Sequence, residues 1–215
     1  MNRRILFGLL AVLNISFLVY YIYLAYNMRM HYDDLHFLWR AQEQSLFEFL
    51  EWVFYDRSGR MSVYGFNWIA SYTTNLIGCY QFWPILFMLI GWWYCWIFAR
   101  NMKLALHKVE LFLVVIFIYN LYILTSIDFA VFYWLAAIPY YLIAPATLAM
   151  LSYLNQPILK WNQWLMLSVL VICIGLGYEY WIPIALLLMF FCGMWHLRKY
   201  HYNFKEAWRD SIIRR

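Results

Sequence analysis

Charge is scarce in this chain. Only 13% of the 215 residues are Asp, Glu, Lys or Arg, against roughly 25% in soluble domains, while 66% are hydrophobic and 23% aromatic. That shortage excludes a large water-soluble domain and marks an integral membrane protein. Paired cysteines are also missing. Cys79, Cys95, Cys173 and Cys192 form no CxxC pair and lie in apolar surroundings, so they read as small buried hydrophobes rather than a zinc or disulfide framework. There is no small-x-small cleavage site after the apolar run from Ile5 through Tyr26, so this run is expected to remain as an anchor. Repeats, low-complexity tracts and linkers are absent, which leaves a single membrane domain over 1–215. The net charge of +5 lies in short clusters beside apolar runs, a pattern that sets membrane orientation and not one that binds nucleic acid.

What remains is a series of apolar segments. A bilayer span takes about 20 apolar residues, and the sequence predicts an all-α, polytopic helix bundle of about six transmembrane helices, near 5–26, 82–99, 109–125, 132–153, 164–176 and 180–197. Arg3 and Arg4 place the N-terminus in the cytoplasm by the positive-inside tendency, and 27–80 becomes an outer loop. With this layout the C-terminus is cytoplasmic too, and every Lys and Arg outside residues 29–60 falls on the cytoplasmic side. Within the outer loop, Asp34 is expected to cap a helix from Leu35, with Leu35, Leu38, Trp39, Leu46, Phe49, Leu50 and Val53 at helical spacing on an interfacial, amphipathic face. Ser45-x-x-Glu48 fits a capping box and predicts a division into two short helices. Residues 61–78, apolar but interrupted by Asn67, Ser71, Thr73, Thr74 and Asn75, are expected to form an interfacial or partly inserted helix. Pro139 and Pro145 are expected to kink the helix that carries them.

The polar stretch in that loop is where chemistry is expected. Six of the eleven acidic residues lie between Asp33 and Asp56, a concentration that needs water or a charged ligand. Asp33 and Asp34 are adjacent carboxylates whose repulsion raises one pKa unless a cation or acceptor intervenes; a cap needs only one of them. His31 and His36 flank the pair and serve as polar surface or, less favoured, as metal ligands, so no metal cofactor is expected. Arg57 and Arg60 suit an anionic group, since guanidinium binds phosphate bidentately, and Gly59 lets the backbone approach closely. Arg57 is equally compatible with an ordinary loop pairing with Glu48, Glu51 or Asp56. Asp128 and Glu179 fall at further outer turns; each is a candidate cavity acid or, more simply, a turn residue and a local partner.

Asp33-Asp34-Leu-His-Phe37 with Ser58-Gly59-Arg60 resembles the GT-C superfamily of membrane glycosyltransferases, specifically an uncharacterised bacterial branch with Asp-Asp and Ser-Gly-Arg in its first outer loop. Phe132-Tyr-Trp134 with Tyr140-Tyr141, and Gly177-Tyr-Glu179, are similar to later parts of the same branch. Family members are generally longer, so the resemblance implies their N-terminal part or a reduced form. It also implies a polyprenyl-phosphate sugar donor, a glycan, lipid or protein hydroxyl acceptor, and a bacterial inner-membrane location. Asp33 or Asp34 would be the catalytic base, with Arg57, Arg60, His36, Asp128 and Glu179 binding substrate. The alternative is a non-catalytic membrane subunit, scaffold or lipid-linked glycan carrier whose polar loop binds a partner.

Overall fold

The structure, a computed structural model, describes residues 3–27, 32–56, 61–102, 106–125, 138–154, 156 and 161–175, with 186, 187, 190 and 194. Among these the chain is helical, without strands: α1 (Arg3–Tyr26), α2 (Tyr32–Glu43), α3 (Leu46–Asp56), α4 (Met61–Ile77), α5 (Phe82–Asn101), α6 (Lys108–Thr125), α7 (Ile138–Leu154) and α8 (Trp161–Gly175). Helices α1, α5 and α6, of 24, 20 and 18 residues, are long and apolar enough to cross a membrane, because 1.5 Å per residue carries them across roughly 30 Å of hydrocarbon. They are the first three spans expected from sequence. Helices α7 and α8 are shorter, at 17 and 15 residues, and most of 180–197 lies outside the described residues.

Polar side chains set the relative directions of these helices. Arg3 donates to both carboxylate oxygens of Glu110, through Nε at 2.8 Å and through Nη2. Further along, Asn14 Nδ2 donates to the Leu113 carbonyl at 3.0 Å and Asn120 Nδ2 to Asn14 Oδ1 at 2.8 Å. Helices α1 and α6 therefore run parallel. The Trp92 indole N–H reaches Asn120 Oδ1 at 3.0 Å, and the Trp96 ring meets Phe112 with centroids 5.4 Å apart, so α5 runs antiparallel to both. Asn101 donates to the Ser152 hydroxyl near one end, while Phe87 and Leu142 share a core near the other, which makes α7 parallel to α5. Helix α8 turns back along α7, with Gln163 donating to Gln156 and Leu170 and Ile174 packed among Ile143, Ala146 and Met150. The alternation gathers Arg3, Arg100 and Lys108 at one end of the bundle. Tyr80, just before α5, is at the other.

The chain between α1 and α5 forms a small helical cap at that second end. Its division at Ser45 follows the capping-box reading: Glu48 Oε2 accepts from the Ser45 N–H and hydroxyl, both at 2.8 Å, and the Glu48 N–H points back to Ser45 Oγ at 3.4 Å. Helices α2 and α4 lie antiparallel, tied by Asn75 Nδ2 to the Leu38 carbonyl and by the Trp68 indole to the Gln44 carbonyl. Phe37, Phe49 and Val53 form the cap's core with Trp52, Tyr64 and Trp68 against it. Gly78, at φ +73°, closes α4 in the left-handed conformation that favours glycine, its N–H donating to Thr74 O at 2.8 Å. Ala70 and Phe66 of α4 then pack against Phe87, Tyr80 and Leu142, which joins cap to bundle.

Several local expectations change. Helix α2 begins at Tyr32, so Asp34 lies inside its first turn and does not cap it. The buried stripe of α2 is Asp34, Phe37, Leu38 and Ala41, whereas Leu35 (53% exposed) and Trp39 (48%) face outward. A carboxylate occupies an inward position here because a hydroxyl from a distant segment meets it. Pro139 falls in the first turn of α7, where a missing N–H costs no hydrogen bond, and only Pro145 lies inside the helix. Cys95 is buried as expected, but Cys79 is exposed.

Candidate functional site

The first turn of α2 carries Asp33 and Asp34, at the helix end where unpaired N–H groups favour negative charge. Asp34 is 2% exposed, and its Oδ2 accepts a short hydrogen bond from the hydroxyl of Tyr80, itself 3% exposed. The two residues are 46 positions apart. Tyr80 reaches Asp34 because α4 runs back along α2 and delivers the Gly78–Gln81 turn to the start of that helix. A carboxylate this enclosed is stable only when its oxygens are hydrogen-bonded, and a phenol donor does so without neutralising it.

A second stripe of α2, His36 and Arg40 at four-residue spacing, faces Trp52 of α3. The His36 ring packs against Trp39 and Trp52, with centroids 5.9 and 5.6 Å away. The Arg40 guanidinium lies over the same two indoles, 4.3 Å from Trp52 and 5.3 Å from Trp39. Such stacking holds a guanidinium in place by cation–π attraction while its charge stays unneutralised. Arg40 Nε and Gln44 Oε1 are buried and have no hydrogen-bond partner among the described residues. Asp34 and Arg40 thus lie on different faces of α2, about 9 Å apart along its axis at 1.5 Å per residue. The arrangement combines an enclosed carboxylate with a fixed, unpaired cation on one short helix.

Of the residues singled out in the sequence, Asp33, Asp34 and His36 lie within about one turn of α2; the side chain of Asp33 is outside the described residues. Arg57, Arg60, Asp128, Glu179 and His31 also lie outside them. Among the described residues no three of His, Cys, Asp and Glu converge as a metal-ligand set. Two members of the site were not singled out from sequence. Tyr80 had no local signal, since its partner is on another helix. Arg40 had one: it lies four residues after His36, the spacing that stacks side chains on one helix face.

Fold and site together define an all-helical membrane protein, with three helices long and apolar enough to span the bilayer and an acidic, aromatic-lined helical cap. No family model, no curated protein and no solved structure matches the chain.

Proposed function

We infer that the chain is a GT-C-like glycosyltransferase, moving a sugar from a polyprenyl-phosphate donor to a hydroxyl acceptor at the outer face of a bacterial inner membrane. In this reading it crosses the membrane six times, with α7, α8 and 180–197 completing the bundle and both termini cytoplasmic. Helices α2 and α3 lie at the outer interface, where Phe47 (82% exposed) and Tyr55 (76%) of α3 meet the headgroup region. The observation that carries the reading is the carboxylate of Asp34, held by Tyr80 at the helix start that also bears Asp33.

In the reaction, the acceptor oxygen attacks the anomeric carbon as the bond from that carbon to the phosphate oxygen breaks. The acceptor's proton passes to Asp34 or Asp33, and the bonding electron pair leaves on the polyprenyl phosphate. Arg60 and Arg57 stabilise the leaving phosphate, where negative charge grows. Tyr80 is a positioning residue that fixes the carboxylate.

The test is turnover of a polyprenyl-phosphate sugar by the purified protein. Changing Asp33 and Asp34 together to Asn is expected to lower kcat by about 10²- to 10⁴-fold, the usual worth of a general base, with a smaller change in KM. Undiminished turnover by that variant ends the transferase assignment. One observation favours the rival, a non-catalytic subunit or glycan carrier: at 2% exposure Asp34 is covered, so an acceptor reaches it only if the cap shifts. Saturable binding of the lipid-linked sugar by wild-type protein, with no product formed, decides for the carrier.

A further inference from the structure

At the end of the bundle away from Asp34, helices α5, α7 and α8 and the start of α6 line an open recess of about 810 Å³. Its mouth carries Arg100 and Lys108, and its polar wall Asn101, Asn162 and Gln163. Glu110, the one carboxylate on the first turn of α6, is engaged by Arg3, and among the described residues neither Arg100 nor Lys108 has an acidic partner there. Two cations without an acidic partner, beside three amide side chains, suit a phosphate.

The rest of the wall is apolar. Trp93, Trp96, Leu165 and Met166 line it, and Leu89 and Val169, one helical turn from Trp93 and Leu165, continue exposed apolar surface toward the middle of the two helices. The charged mouth at one end of the membrane-length helix α5 and the exposed apolar surface continuing from it have the chemistry of a headgroup and its chains. A small soluble anion would leave that apolar surface unused.

The geometry points to a binding site for an anionic glycerophospholipid, with its phosphate held by Arg100 and Lys108 and an acyl chain lying between α5 and α8. By the positive-inside tendency this is the cytoplasmic leaflet, where basic pockets between transmembrane helices meet acidic lipid headgroups. The site is separate from the Asp34 cap and does not depend on the transferase reading. An occupant here ties α8 to α5, which otherwise meet mainly through α7.

Native mass spectrometry of the full chain in detergent, titrated with phosphatidylglycerol and with phosphatidylcholine of the same chains, tests the site. Wild type is expected to retain phosphatidylglycerol preferentially. The variant Arg100→Gln with Lys108→Gln should lose that preference by about tenfold or more, since each basic group near a lipid surface contributes about 1 kcal/mol. The charge-conserving pair Arg100→Lys with Lys108→Arg should keep it. Leu165→Trp, which crowds the apolar wall and leaves the charge intact, should lower retention of phosphatidylglycerol and so guards against misfolding of the neutral variant. Equal retention of the two lipids by wild type overturns the proposal. Displacement of phosphatidylglycerol by millimolar inorganic phosphate also overturns it, by assigning the recess to a soluble anion.

Discussion

The Asp34–Tyr80 contact makes a stability claim as well as a catalytic one. Tyr80→Phe removes one donor from an enclosed carboxylate and should cost about 1–3 kcal/mol, the penalty for stripping a partner from a buried polar group. Thermal denaturation in detergent reads this directly, and an unchanged midpoint would show that the hydroxyl is dispensable to the fold. Gly91 offers a test of packing. A Cβ there would stand 2.7 Å from Cε1 and Cζ of the Tyr119 ring, well inside van der Waals contact, whereas one at Gly8 meets nothing within 4 Å. Gly91→Ala should therefore destabilise by about 1–3 kcal/mol, as overpacking does, and Gly8→Ala should leave the melting midpoint near that of wild type. Both glycines sit in apolar helices and look alike in the sequence; only the neighbouring helix distinguishes them.

The start of α3 and the seam between α1, α5 and α6 carry predictions of their own. Hydrogen bonds from the Ser45 backbone N–H and then from its hydroxyl hold the Glu48 carboxyl below the ordinary glutamate range. Because the folded state prefers the ionised form, this contribution is present above the ordinary carboxyl pKa and is lost as pH falls through the lowered folded value. Protection of the first amides of α3, measured relative to their intrinsic exchange at each pH, should therefore fall on acidification, and Glu48→Gln should remove that dependence. Ser45→Ala should cost about 1 kcal/mol of local stability, a typical capping loss. In the bundle, Trp92, Asn120, Asn14 and the Leu113 carbonyl form a chain of hydrogen bonds across three helices. Asn120→Leu leaves Trp92 and Asn14 each short of a partner and should cost about 1–2 kcal/mol, near the upper range for such bonds in membranes. A loss no greater than that of an exposed substitution such as Leu121→Ala would show that the seam is held by packing alone.

For the whole molecule, the alternating helix directions place the cap and the Arg100–Lys108 recess at opposite ends of α5, a helix about 30 Å long at 1.5 Å per residue. In a background with the native cysteines replaced, Phe47→Cys should react with a membrane-impermeant maleimide added outside intact cells. Leu106→Cys should react only after the membrane is opened. Labelling of both from one side would remove the two-ended arrangement and, with it, both functional proposals. Exposed Cys79 is a native reporter for the cap side and should label faster than buried Cys95.

The amino-acid sequence by itself determined the helical membrane class, the boundaries of α1, α5 and α6, and the capping box at Ser45. Each of these follows from apolar run length, charge beside it, or hydrogen bonds spanning three residues, all of which are local. The tertiary structure alone decided that Asp34 turns inward, that Phe37 and not Leu35 joins the core, and that Tyr80 and Arg40 belong to the site. Those outcomes depend on which helix lies alongside which. A helix of period 3.6 offers several faces to burial, and the choice rests with the partner that satisfies the polar group on the face chosen.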